Sequence, residues 1–126
     1  MVLIDTSVWI RALSKREPYV MQADSLLGRD EVAGHEFVYG ELLIGDRGGR
    51  SRFLAAYERI YHAPTVDHHE VIAFVRGRNL PGRGVGWIDI HLLASAITGG
   101  LQLWTADPRF AAVAEELGVG YEPPIF

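Results

Sequence analysis

Apolar residues alternate along the chain between short runs and helical spacings. Val2-Leu3-Ile4 is an apolar run that stops at Asp5-Thr6-Ser7. A strand that gives way to helix-capping residues marks a strand-to-helix junction. Val8, Trp9, Ile10 and Leu13 supply the apolar positions of the helix that follows. Pro18 suits the first turn of a second helix with Val20, Met21, Ala23, Leu26 and Leu27, stopped by Gly28. Glu31 to Gly34 predicts a weak second strand, and Phe37 to Gly45 a third helix. After an Arg47–Ser51 loop, Phe53, Leu54, Tyr57 and Ile60 mark a fourth helix. Tyr61 to Val66 predicts a third strand interrupted by Pro64, and His68 to Leu80 another helix. Pro81 to Gly86 holds four glycines or prolines in six residues, the composition of a mobile loop. Ile88 to Ile97 is a strongly apolar helix closed by Gly99-Gly100. Leu101 to Thr105 is a buried-type strand, Asp107-Pro108 opens a helix that Gly118 ends, and Val119 to Tyr121 is a last short strand.

Short strands alternating with helices imply βαβ units with right-handed crossovers. The expected fold class is therefore α/β, a three-layer α/β/α sandwich around a mostly parallel sheet. At 126 residues, with no repeat, linker or low-complexity segment, the chain reads as a single domain over 1–126.

Composition narrows the chemistry. There is no cysteine, which excludes a disulfide framework, a thiolate metal site and a cysteine nucleophile. No run of eighteen apolar residues is present, so no membrane-spanning helix is expected. The start Met1-Val2-Leu3-Ile4-Asp5 lacks the basic region of a signal peptide, so the expectation is a cytoplasmic protein. The formal charge of −4 argues against a simple basic nucleic-acid binder. Eleven of the 12 cations are arginine, and Lys15 is the one lysine.

Four acids stand where the fold does not need them. Asp5 and Asp107 lie at or just beyond the carboxyl ends of predicted strands, where open α/β sheets bind ligands. Each could also cap the helix that follows. Glu41 and Asp89 sit inside apolar helical segments, Phe37–Ile44 and Trp87–Ala94. A buried carboxylate needs a partner. The apolar segments around Asp5, Glu41 and Asp89 contain no lysine or arginine, and only Arg109 is close to Asp107. A hard divalent cation, Mg²⁺ or Mn²⁺, would meet the need.

These pieces resemble a known family. Val2-Leu3-Ile4-Asp5-Thr6-Ser7-Val8-Trp9-Ile10, the mid-chain Glu41, Ile88-Asp89-Ile90-His91-Leu92-Leu93-Ala94-Ser95-Ala96 and Leu103-Trp104-Thr105-Ala106-Asp107-Pro108-Arg109-Phe110 resemble, in that order, the small PIN-domain ribonuclease toxins of the VapC type. The resemblance covers nearly the whole chain. It implies a PIN-like sandwich and Mg²⁺- or Mn²⁺-dependent endonuclease activity on structured RNA such as tRNA or ribosomal RNA. It also implies a VapB-type antitoxin partner and a homodimer. Asp5, Glu41, Asp89 and Asp107 match the acidic metal-binding cluster one by one, with Thr6, Ser7 and Thr105 as supporting polar positions. The expected chemistry is polarisation of the scissile phosphate and in-line attack by a water of lowered pKa. Candidate RNA contacts are Arg47, Arg50 and Arg52 on one side, and Arg76, Arg78 and Arg83 on another. The Arg76–Gly86 stretch matches no function of the family.

Setting the four acids aside leaves the rest of the chain formally neutral, so the negative charge no longer counts against a nucleic-acid substrate. Other chemistries lack their signatures. His35, His68 and His69 lack the i, i+4 spacing of a helical metal pair, and Gly82–Gly86 lacks the strand and the GK[ST] of a nucleotide loop. A phosphoacceptor receiver would need a late lysine, and a serine hydrolase its G-x-S-x-G turn. Trp9, Phe53 and Tyr57 are candidates for either the core or an antitoxin groove. The rival class is a non-catalytic binding module of the same fold, its acidic pocket taking a basic partner peptide. A second enzyme rival is a DNA-directed or exonucleolytic PIN-like nuclease.

Overall fold

The computed structural model describes residues 1–124. Its elements run β1 (Val2–Ile4), α1 (Thr6–Leu13), α2 (Tyr19–Gly28), β2 (Val32–Ala33), α3 (Glu36–Ile44), α4 (Ser51–Arg59), α5 (His68–Gly77), α6 (Trp87–Gly99), β3 (Gln102–Trp104) and α7 (Pro108–Glu116). The three strands form one sheet in the order β2-β1-β3, and both pairings are parallel. Leu3 lies opposite Ala33 on one side and Leu103 on the other. Successive residues of a strand face opposite sides of the sheet. Val2, Leu3 and Ile4 are all buried, so β1 is covered on both faces. The expected α/β sandwich with a parallel centre is the fold.

Two predicted strands shrink to single bridges. Gly34 pairs with His62, and Leu103 with Gly120, each in parallel at an edge of the sheet. At the first, Ala63 N–H donates to Gly34 O at 2.7 Å. α4 ends at Arg59 and α3 begins at Glu36, which leaves room for one register only. The N–H of Ala63 points at β2, so position 64 faces the open edge, where a proline costs no ladder bond. At the second, Tyr121 N–H donates to Leu103 O at 2.9 Å. The next donor toward β3 would be residue 123, a proline, so the ladder stops.

α6 explains how one apolar run organises the interior. Ile90 through Ala96 are all buried, the signature of a helix enclosed on every side. Gly100, at φ +65°, closes it in the left-handed conformation that disfavours other residues. Leu3, Ile4 and Phe110 are fully buried, as are Leu92 and Leu93 of α6 itself. Cutting any one of them back to alanine costs about 2–5 kcal/mol. Trp9 and Tyr57 are core residues, with ring centroids 5.9 Å apart, and the half-buried Phe53 packs 5.2 Å from Trp9. Among the described residues no helix is long and apolar enough to cross a membrane.

Candidate active site

The parallel sheet sends the carboxyl ends of β1 and β3 to the same end of the molecule. Asp5 follows β1 directly, and Thr105 follows β3. Their register makes them neighbours, because Ile4 pairs with Trp104. Ser7 ties the two ends together. Its hydroxyl donates to Asp5 Oδ1 at 2.5 Å and accepts from Ala106 N–H at 3.0 Å. The Thr105 hydroxyl lies 3.4 Å from it and accepts from Asp107 N–H at 3.0 Å. Thr6, Ser7 and Thr105 are thus bonded to the acids or to the backbone beside them, since Thr6 Oγ1 donates to Glu41 Oε1 at 2.7 Å.

Capping and clustering coexist. Asp5 Oδ1 caps α1 by accepting from Val8 N–H at 3.2 Å, and Asp107 Oδ1 caps α7 by accepting from Arg109 N–H at 2.9 Å. All these bonds, with Thr6 to Glu41, fall on one oxygen of each carboxylate. A cap therefore does not exhaust the group. Asp89 caps nothing. It stands in the first turn of α6, whose N-cap is Gly86.

Electrostatics brings the four acids into one unit. Burial raises the Asp89 carboxyl to about 6, and the charges of Asp5, Glu41 and Asp107 push the same way. Among the described residues only the Gly86 N–H, which donates to Asp89, opposes them. Asp5 is also raised by burial, against the hydrogen bonds from Ser7, Thr105 and Val8 that favour its charge. Acids from β1, α3, α6 and the start of α7 therefore share one field, and each added negative charge disfavours the next. Four carboxylates are the donor set of a hard divalent cation. Among the described residues, though, no group of three or more His, Asp or Glu side chains is arranged to hold a metal ion as it stands. The oxygens fit such an ion by chemistry and by charge, and binding it requires the side chains to close.

The arginines divide. Arg47 and Arg50 line a cavity of about 420 Å³ together with Glu41, Ile10 and Leu42. Arg52 is exposed on α4 and does not line it. Arg76 is exposed in the last turn of α5, and the Arg78 guanidinium lies 5.9 Å from the Phe74 ring centroid. Arg83 pairs with Glu116 on α7 at 2.8 Å. That contact ties down the loop whose composition reads as mobile.

One polar cluster escaped the reading of the sequence. His35 is fully buried and caps α3, its Nδ1 accepting from Phe37 N–H at 3.0 Å. Nε2 must then carry the proton, and it stands 3.0 Å from Ser95 Oγ on α6. The contact joins the helix of Glu41 to the helix of Asp89. A histidine immediately before an apolar helix was the available signal, since Nδ1 can cap as a serine hydroxyl does.

Comparison with known proteins fits this geometry. Residues 2–116 match the model of the PIN domain family. The chain is a PIN-domain protein. It is 42% identical to the protein named ribonuclease VapC32 of Mycobacterium tuberculosis, in both the CDC 1551 and the H37Rv strains, over 94% of each chain. That places this PIN domain among the VapC-type members. The crystal structure of PAE2754 from Pyrobaculum aerophilum shares the fold, with a TM-score of 0.56 at 19% identity, over 88% of this chain and 77% of that one.

Proposed function

We propose that this PIN domain is a divalent-metal-dependent endoribonuclease, the toxin of a VapBC pair, acting on structured RNA such as tRNA or ribosomal RNA in the cytoplasm. The observation that carries the reading is the shared field of Asp5, Glu41, Asp89 and Asp107, whose charges add to burial in holding Asp89 near 6. Like charges at that density call for a cation, and Mg²⁺ or Mn²⁺ fits carboxylate oxygens. The ribonuclease name of its M. tuberculosis relative supports the activity.

Asp5 and Asp107 are fixed by their helix caps, so they are the anchoring ligands, with Glu41 and Asp89 completing the set. A bound divalent ion supplies charge stabilisation at the scissile phosphate and lowers the pKa of a water nucleophile. Ser7 and Thr105 hold Asp5 and the Asp107 backbone in register. Thr6 steers Glu41 through the 2.7 Å bond. Arg47, Arg50 and Arg52 are candidate contacts to the RNA backbone, with Arg76 and Arg78 as more remote ones. Arg83 is the weakest, because Glu116 already engages it. A VapB-type antitoxin and a second copy of this chain are the expected partners.

The test is cleavage of purified tRNA, ribosomal RNA and DNA by the isolated chain, with Mg²⁺, Mn²⁺ or EDTA, beside Asp5→Asn and Asp107→Asn. Metal-dependent internal cuts in RNA that both variants lose are expected. Tight binding of a basic peptide with no cleavage of any RNA would instead identify a non-catalytic binding module. Cleavage of DNA in preference to RNA would identify a DNA-directed nuclease.

A further inference from the structure

A site built of acids repels its own polyanionic substrate, so a cation has to hold the strand beside it. Arg109 is placed to do so. Its backbone N–H caps Asp107, which fixes it at the first turn of α7. Its side chain runs back over the 81–86 loop. A Cβ built on Gly84 would stand 2.9 Å from Arg109 Cδ and 3.0 Å from its Nη1. Gly84 also has φ +80°, so the backbone calls for glycine there, and a Cβ at this position would displace the passing arginine.

The loop is laid along α7. Arg83 reaches Glu116 at 2.8 Å, and 109 and 116 are seven residues apart, on one helix face. The same loop ends at Gly86, where a Cβ would lie 3.9 Å from Asp89 Oδ2. The strap that carries Arg109 is thus the one that leads into the acid site. The ion pairs among the described residues are Arg29–Glu31 and Arg83–Glu116. Among the described residues the Arg109 guanidinium therefore has no carboxylate within 4 Å, although its own backbone N–H bonds one.

We infer that Arg109 binds an RNA phosphate flanking the one cleaved, with Gly84 as the platform that sets its guanidinium there. The inference rests on the nuclease reading and adds a substrate contact to it. A planar guanidinium can grip a phosphate through two N–H groups, which an ammonium cannot.

Bulk bacterial tRNA, fluorescently labelled, is the probe. Binding is measured in EDTA over a range of KCl concentrations, and cleavage with Mn²⁺. Arg109→Gln is expected to reduce the slope of log affinity against log salt by about 0.7–0.9, the share of one phosphate. It should raise KM about tenfold and leave kcat nearly unchanged. Arg109→Lys should recover the slope but only part of KM. Gly84→Ala should act like Arg109→Gln without removing charge. The rise in melting temperature on adding Mn²⁺ should stay as in the wild type for Arg109→Gln, because the acids are untouched. A wild-type slope and KM in Arg109→Gln would overturn the inference, as would a loss of the Mn²⁺ response. A wild-type chain that neither binds nor cleaves RNA would overturn the nuclease reading itself, before any variant is compared.

Discussion

Two polar clusters lie within this small fold, and they are solved in opposite ways. Around His35 every group has a partner. Nδ1 takes Phe37 N–H, Nε2 meets Ser95, and the His35 N–H donates to Tyr57 Oη at 2.8 Å. Burial, with smaller contributions from His91 and His62, pushes its pKa down to about 4, so the ring is neutral. Around Asp5 the hydroxyls of Thr6, Ser7 and Thr105 satisfy one side of the acids and leave their mutual repulsion standing. A buried cluster complete within the chain serves the fold. A cluster with acceptors in excess is complete only with something from outside.

The largest effect should come from removing one acid while keeping its cap. Asparagine caps a helix as well as aspartate does. Asp107→Asn should keep its melting temperature and lose cleavage by on the order of a thousandfold, the scale of several kcal/mol of charge stabilisation. Single-turnover assays on tRNA with Mn²⁺ measure it. Normal cleavage by a folded Asp107→Asn would make Asp107 a cap and nothing more, and would erase the contrast between the clusters.

The complementary break is His35→Ala. It removes the cap of α3, orphans Ser95 and leaves a cavity, together about 3 kcal/mol. Urea unfolding at pH 7.5 should show this loss, while cleavage per folded molecule in stabilising conditions stays near the wild type. The same site sets an acid limit. Its folded pKa lies below the unfolded value of about 6.5. Its contribution is therefore full above pH 6.5 and is lost as pH falls through about 4. His35→Gln should flatten that limb of the stability curve.

How much of this could be read in the sequence follows from the range of each interaction. Asp5 and Asp107 were legible because a strand end and a cap are local, written within a few residues. Glu41 and Asp89 were legible as acids in apolar helices, and the family resemblance joined them. The bridges at His62 and Gly120 were overread as strands, because periodicity does not see that α3 and Pro123 cut the register short. His35 to Ser95 spans 60 residues, and Gly84 to Arg109 joins a loop to a helix two elements away. Neither contact has a local pattern, so only the packed chain reveals them.

The smallest effect sharpens the comparison most, because it measures the acid cluster with no substrate present. The Asp89 carboxyl is raised to about 6 in the fold, against about 3.9 unfolded. A raised acid lends its stability below the unfolded value and loses it as pH rises through the folded one. The metal-free protein should therefore weaken between pH 4 and 6, in the opposite sense to His35. Asp89 is partly exposed, so solvent screening reduces the effect to about 1 kcal/mol. Asp89→Asn should raise the melting temperature of the metal-free chain at pH 7.5 and remove this limb. Mg²⁺ or Mn²⁺ should stabilise the wild type little at pH 5 and clearly above pH 6.5, since below that the ion competes with the proton on Asp89. Scanning calorimetry across that range, with and without metal, decides it. A metal response independent of pH would mean that Asp89 does not face the ion, and the acid cluster would then be three carboxylates rather than four.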